Sequence, residues 1–174
     1  MSRDDVSLAI LAQAVGIERE GIAFYDQAAS KSSSARVQQV FRSLVNDEVG
    51  HEKILQAEID SLKAKGQWLP APDALSAIPT GLSLFSRHRD AADRAGAAPS
   101  DLEALSFAMN MEQKGYDLYT GAAAQTTDAD GQALFRRLAK MESHHYKVLQ
   151  DAYGYLTHPD HWYDDEEKPM FEGG

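Results

Sequence analysis

The sequence contains no cysteine, few basic residues and no long run of apolar residues. The absence of cysteine among 174 residues excludes disulfides, zinc ribbons and every iron site held by Cys, so any metal must be bound by carboxylates and imidazoles. Only 17 Lys and Arg residues stand against 27 Asp and Glu residues, and the resulting net charge of −10 argues against nucleic acid and anionic membranes as partners.

The N-terminal segment has neither the charge pattern of a signal peptide nor the apolar length of a membrane span. Arg3 is followed by Asp4 and Asp5, and polar residues interrupt the apolar positions beyond them. We therefore expect a cytoplasmic protein that does not enter a membrane.

Composition and length are typical of one soluble globular domain. The apolar fraction is 43% and the charged fraction is 25%. Residues 158–174 carry six acids and one Lys, and we interpret them as an acidic C-terminal tail. This tail is either solvated or packs its aromatic residues against the body or against another subunit.

The chain contains an internal repeat. A shift of 94 residues aligns 8–62 with 102–156 without a gap and gives 19 identical pairs in 55 positions. Chance would give only a handful, so the two halves are interpreted as copies of one unit.

Each half contains two segments with the apolar spacing of an amphipathic helix. Polar stretches at 31–35 and 126–130 supply cap and turn residues between them. The sequence therefore predicts an all-α four-helix bundle over 1–157, built from two duplicated helical hairpins that a long crossover at 66–99 connects. The expected helices span about 4–30, 35–65, 100–125 and 129–157.

Glutamates lie within the apolar stripes and at one height in the bundle. The midpoint of Glu18 and Glu48 is residue 33, and the midpoint of Glu112 and Glu142 is residue 127, each in the middle of a turn. Residues equidistant from the turn of an antiparallel hairpin are level, so each pair should face one another about 22 Å from its turn, at a rise of about 1.5 Å per residue.

A histidine follows the second glutamate of each hairpin by three residues, which places it one turn along on the same face. Buried carboxylates need neutralisation, and two divalent cations would neutralise four of them. A single Glu-x-x-His on a helix is a weak signal, but two in register favour a dinuclear site of the kind found in di-iron and di-manganese carboxylate bundles. Iron or manganese suits such a donor set better than magnesium or calcium. The candidate metal ligands are Glu18, Glu48, His51, Glu112, Glu142 and His145.

This pattern resembles the rubrerythrin-like branch of the ferritin-like superfamily, over the chain to about residue 157. The resemblance implies a ferritin-like bundle that holds two Fe ions, with Mn or a mixed pair as the alternative, and in which Glu48 and Glu142 bridge the metals. One further glutamate and one histidine would complete each metal: Glu18 with His51 and Glu112 with His145, the two histidines being exchangeable.

Three residues near the candidate ligands allow two interpretations each. Tyr25 and Tyr119 are either core aromatics or residues that hydrogen-bond a ligand carboxylate across the bundle, as tyrosines do in the family that the chain resembles. Gly115 stands where rubrerythrins carry a further glutamate. It serves either close helix packing or a small opening above the metals for peroxide or dioxygen.

The resemblance also implies an activity, the reduction of hydrogen peroxide or O2, in which Glu18, Glu48, Glu112 and Glu142 are the catalytic residues. Because the sequence has no Cys for a rubredoxin-like iron domain, we expect the electrons to come from a separate electron-donor protein. Bundles of this family commonly pair, so we expect a homodimer. The main alternative is a ferroxidase that feeds an iron store or carrier; a dimanganese catalase and a purely structural bundle are the others.

Overall fold

A computed structural model describes residues 3–70 and 99–158 of the chain. It has four long helices: α1 (Arg3–Lys31), α2 (Ala35–Lys65), α3 (Pro99–Gln125) and α4 (Ala129–Thr157). These bounds differ from the expected ones by at most one residue at each end. Most of the expected crossover, 71–98, and the acidic tail from 159 onward lie outside the described residues.

Local hydrogen bonds fix where the helices of each hairpin begin and end. The Ser34 hydroxyl accepts from the Val37 N–H at the start of α2, and the Asp128 carboxylate accepts from the Asp130 and Gly131 N–H groups at the start of α4. Gly66, at φ 63°, ends α2 in the left-handed conformation and returns its N–H to the Leu62 carbonyl. The polar stretches at 31–35 and 126–130 therefore act as the turns that the sequence predicted.

The helices form a four-helix bundle in which α1 packs along α2 and α3 packs along α4. The all-α class predicted from the sequence is confirmed. The two hairpins run in opposite directions, because residues next to the turn of one hairpin pack against the open end of the other. At one end of the bundle, Leu134 and Phe135 of α4 share a core with Leu11 and Leu62.

The opposite end of the bundle has a second core. It contains residues next to the first turn, such as Val37 and Phe41, together with Leu105 and Leu149 from the open end of the second hairpin. The middle of the bundle thus lies between two apolar cores that close it at each end. No helix in 3–70 or 99–158 is long and apolar enough to cross a membrane.

The repeat is visible in matching aromatic contacts. The rings of Tyr25 and Phe41 stack in the first hairpin with centroids 5.9 Å apart, and those of Tyr119 and Phe135 stack in the second at 6.2 Å. Positions that the 94-residue shift equates therefore make the same contact. Each hairpin therefore borders the central region of the bundle with an equivalent stacked Tyr–Phe pair.

The segment after α2 folds back onto the second hairpin. The Glu58 carboxylate accepts from the Leu69 N–H at 3.0 Å, and the Trp68 ring meets the Phe135 ring edge-on with centroids 5.8 Å apart. A β-carbon on Gly131 would lie 2.7 Å from the Trp68 ring, so glycine is what allows the indole to lie against α4. These contacts bring the chain leaving α2 to the end of the bundle that carries the second turn.

Asp128→Ala should lower the free energy of unfolding by about 1 kcal/mol, because the first-turn N–H groups of α4 lose their acceptor. Chemical denaturation measures this change. Asp117→Ala is the matched control, since Asp117 lies within α3 and accepts from the exposed Gln113, and it should stay within about 0.5 kcal/mol of the parent. Equal losses in both variants would contradict the capping role.

Candidate metal centre

The structure brings all six candidate ligands together in the middle of the bundle. Each helix contributes on its inward face, and every one of these residues is at most 4% exposed. The helices contribute Glu18 from α1, Glu48 and His51 from α2, Glu112 from α3, and Glu142 and His145 from α4. The four glutamates lie at a common level in the bundle, as the midpoint of each glutamate pair predicted.

The six residues form two overlapping groups of possible metal ligands. In each group, one donor atom per residue lies within 4.8 Å of all the others. Glu48 and Glu142 belong to both groups. The first group is completed by Glu18 and His51 and the second by Glu112 and His145. Two cations that share two carboxylates would fit this arrangement.

The histidine nitrogens aim at the carboxylates of both hairpins. His51 Nδ1 lies 2.8 Å from Glu48 Oε2 and 3.5 Å from Glu142 Oε1. His145 Nδ1 lies 3.1 Å from Glu48 Oε1 and 3.5 Å from Glu112 Oε2. The two imidazole rings are nearly parallel, with centroids 5.5 Å apart. Both rings thus present their Nδ1 atoms to Glu48, one of the two carboxylates that the groups share.

Several of these donor atoms are buried without a well-aligned hydrogen bond. They include Glu48 Oε2, Glu112 Oε2, Glu142 Oε1 and Nδ1 of both histidines. Buried polar atoms almost always have partners, and a cluster of unsatisfied oxygen and nitrogen donors aimed at common points is what divalent metals require. The donor set therefore fits two metal ions, and the cluster suggests a dimetal site.

Burial and mutual repulsion set the charge on two of the carboxylates. Burial, together with the neighbouring Glu48, raises the pKa of Glu18 to about 8. Burial, together with the charge of Glu112, raises the pKa of Glu142 well above its ordinary value. Without metals, these two carboxylates therefore tend to hold protons at neutral pH.

The imidazoles have the opposite effect on Glu48. Burial alone would raise its pKa, but His145 and His51 outweigh burial and hold it well below the usual range. Burial alone would lower the pKa of His51, but Glu48 and Glu18 raise it to about 9. Likewise, Glu48 and Glu112 overcome burial and raise the pKa of His145. The metal-free centre thus compensates its carboxylates with protons.

Two tyrosines hydrogen-bond carboxylates of the centre from across the bundle. The Tyr25 hydroxyl in α1 donates to Glu112 Oε1 in α3, and the Tyr119 hydroxyl in α3 donates to Glu18 Oε1 in α1. Burial, followed by the charge of its own glutamate partner, raises the pKa of each tyrosine well above 10. Of the two interpretations that the sequence left open for these residues, the geometry matches the one with a hydrogen bond to a candidate ligand.

Gly115 provides room for a candidate ligand. A β-carbon there would lie 2.6 Å from Glu142 Oε2, whereas one on Gly21, its counterpart in the repeat, would meet Glu48 Cγ at an ordinary 3.8 Å. The space beside Gly115 is therefore filled by the Glu142 side chain. Of the two interpretations that the sequence left open for Gly115, the geometry matches close packing, here of α3 against a carboxylate of α4.

Sequence reasoning missed one residue of the centre, Asp47. Its carboxylate is buried, and Oδ2 lies 3.4 Å from His145 Nε2, the ring nitrogen opposite Nδ1. One feature of the sequence could have indicated Asp47: it is an acid next to Glu48, and its own counterpart in the repeat is the apolar Met141. Asp47 lies outside the regular apolar stripe, so the stripe does not reveal it.

Gly115→Ala should weaken metal binding because its β-carbon displaces the Glu142 carboxylate. Gly21→Ala is the matched control: it meets no such obstacle, and it should bind metal normally while gaining up to about 1 kcal/mol of stability from helix propensity. Metal content after dialysis and chemical denaturation of the metal-free forms measure the two effects. Equal metal retention by both variants would show that Glu142 does not need the space.

The metal-free protein should lose thermal stability as the pH rises from 6.5 to 9. In this window the folded chain keeps protons on Glu18 and His51 that the unfolded chain releases, since their folded pKa values are about 8 and about 9. Their stabilising effect is therefore lost as the pH rises through those values. Glu48 does not oppose the trend, because its lowered pKa affects stability only in acid.

Scanning calorimetry of chelator-treated protein at several pH values tests this dependence. Glu18→Gln, which removes one titrating group, should flatten it. Metal-loaded protein should show the opposite trend, because cations bind the deprotonated donors. A metal-free transition temperature that rises between pH 6.5 and 9 would refute this picture of the centre.

Comparisons with known proteins agree with the fold and the donor set. A sequence model of the rubrerythrin family matches residues 9–153. No curated protein matches the chain. A hypothetical protein from Pyrococcus furiosus has a similar structure, with a TM-score of 0.63 and 19% identity over 90% of each chain.

A second solved structure is a two-domain protein from Anabaena variabilis that contains DJ-1/ThiJ/PfpI-like and ferritin-like domains. The TM-score is 0.61 and the identity 18%, and the match covers 100% of this chain but only 42% of that one. At such identities, both structures support the fold alone. The family match over most of the chain, together with the paired Glu and Glu-x-x-His donors in a four-helix bundle, shows that the protein belongs to the rubrerythrin family.

Proposed function

We propose that the protein is a non-haem diiron oxidoreductase that reduces hydrogen peroxide or O2 with electrons from a separate protein. The observation that carries the proposal is the pair of donor groups that share Glu48 and Glu142 inside the bundle. Family membership supports the same chemistry. Reduction of one peroxide consumes two electrons and two protons and yields two water molecules, and a pair of metals can supply two electrons.

Iron is the proposed native metal, with manganese or a mixed pair as the alternative. Bound iron would supply the redox chemistry and open coordination positions for the oxidant. Four glutamates neutralise the charge of two divalent ions and act as the catalytic carboxylates in this proposal: Glu18, Glu48, Glu112 and Glu142. His51 and His145 add neutral nitrogen donors, which favour iron and manganese over magnesium and calcium.

The surrounding residues would hold the carboxylates in place and keep bulk water away. Tyr25 and Tyr119 each hydrogen-bond one oxygen of a glutamate that belongs to a single donor group. The other oxygen of that glutamate is then free to bind metal. Phe41 and Phe135, both fully buried, stack on these tyrosines and close the centre toward each turn. A dry, fixed carboxylate frame lets the metals change charge with little rearrangement.

Three further features of the proposal concern partners and place in the cell. An electron-donor protein must reach the surface of the bundle, and we propose a homodimer in the cytoplasm. The Phe107 side chain, 54% exposed and packed against Phe24 with ring centroids 4.8 Å apart, offers apolar surface that a second subunit would cover.

Sedimentation equilibrium that gives the mass of a single chain would rule out the dimer.

Anaerobic protein loaded with two Fe2+ per chain should be oxidised by one equivalent of hydrogen peroxide per iron pair and should turn over when a reductant is added. Glu48→Gln should reduce turnover at least tenfold and lower iron content, because it removes a carboxylate common to both donor groups. Glu58→Gln is the matched control, since Glu58 is equally buried in α2 but accepts from the Leu69 N–H outside the centre.

Absorbance during peroxide titration and peroxide consumption with excess reductant are the measurements. Release of O2 from peroxide without reductant would instead indicate a catalase. Retention of many irons per chain in a large assembly would indicate the alternative function, a ferroxidase that serves iron storage. Iron that stays ferrous after peroxide addition would refute the oxidoreductase proposal.

A further inference from the structure

We propose that Asp47 is a positioning residue that makes the two metal positions unequal, acting through His145. The inference rests on the dimetal site of the proposed function but not on its redox activity. It assigns tighter binding to the position formed by Glu112 and His145. The position formed by Glu18 and His51 has no equivalent carboxylate in the repeat.

The geometry connects Asp47 to the centre through one imidazole. His145 Nδ1 faces Glu48 Oε1 at 3.1 Å and Glu112 Oε2 at 3.5 Å, while Nε2 of the same ring faces Asp47 Oδ2 at 3.4 Å. The Asp47 side chain is only 7% exposed. Since Asp47 belongs to α2 and His145 to α4, this contact also joins the two hairpins.

The other histidine lacks this arrangement. The 94-residue shift equates Asp47 with Met141, a buried apolar residue whose thioether is at best a weak acceptor. Neither Nε2 atom makes a well-aligned hydrogen bond within 3–70 and 99–158. His145 Nε2 nevertheless has the Asp47 carboxylate at 3.4 Å, whereas the carboxylate contacts of His51 are made by Nδ1. The two halves of the repeat therefore have the same candidate ligands but differ in the residue expected beside histidine Nε2, which is Asp47 for His145 and Met141 for His51.

This difference has a chemical consequence for metal binding. A carboxylate behind a metal-binding histidine accepts its outer N–H, fixes the tautomer and the ring orientation, and makes the inner nitrogen a stronger donor. Losing such a partner typically costs about 10-fold to 100-fold in metal affinity. Asp47 would therefore favour filling of the Glu112 and His145 position first.

Titration of metal-free protein with Zn2+ against a chromophoric chelator tests the inference without redox chemistry. The parent should bind two Zn2+ per chain with dissociation constants at least tenfold apart. Asp47→Leu should weaken the tighter site about 10-fold to 100-fold and leave the weaker one within about threefold. Asp47→Asn, whose amide oxygen can still accept, should fall between Asp47→Leu and the parent.

Asp101→Asn is the matched control. Asp101 is also a buried carboxylate, but it accepts from the Ser33 hydroxyl at 2.9 Å near the first turn. This variant should keep both dissociation constants. A merely structural role of Asp47 would change both sites together, so unchanged constants in Asp47→Leu, or equal weakening of both sites, would overturn the inference.

A second measurement keeps the inference testable if the leucine variant does not fold. In Zn2+-loaded parent protein labelled with 15N-histidine, one ring Nε2–H should exchange slowly, and it should exchange faster in Asp47→Asn, whose neutral amide oxygen is a weaker acceptor than the carboxylate. Equal exchange of both ring protons in the parent would overturn the inference. Failure of the parent to bind two Zn2+ would overturn it together with the dimetal site. Unequal Zn2+ binding without peroxide reduction would refute only the proposed activity.

Discussion

The burial of four carboxylates in one bundle is the constraint on which the rest of the structure depends. Glutamates removed from water must be protonated, paired or bound to cations. Here they meet two imidazoles between two apolar cores, so few other groups can compensate them. In the metal-free state, protons held by Glu18, His51 and His145 supply part of the compensation. In the proposed state, two cations replace those protons.

Duplication places the donors, and departures from duplication tune them. The repeat sets six donors at one height. It also provides Glu18 and Glu112 each with a hydrogen bond from a tyrosine of the opposite hairpin. The exceptions lie beside the centre. Gly115 is crowded by Glu142 where Gly21 has room, and Asp47 stands where its counterpart is Met141. The duplicated helices thus hold two donor groups whose surroundings are not chemically identical.

The sequence predicts the parts of this structure that follow from fixed helix geometry. Because the rise per residue is constant, the midpoints of Glu18 with Glu48 and of Glu112 with Glu142 predict their common level. Cap residues such as Ser34 and Asp128 likewise mark helix ends. Contacts between hairpins are harder to predict, since they depend on side-chain direction. The approach of Asp47 to His145 and the filling of the space at Gly115 are of this kind.

The most direct measurement is an anomalous difference map from crystals of the protein soaked in Fe2+ or Mn2+. The account predicts two peaks per chain, about 3.5 to 4 Å apart as in other two-metal sites, both within bonding distance of Glu48 and Glu142. A map with a single peak, with peaks only on the bundle surface, or with these glutamates turned away from the metals would contradict it.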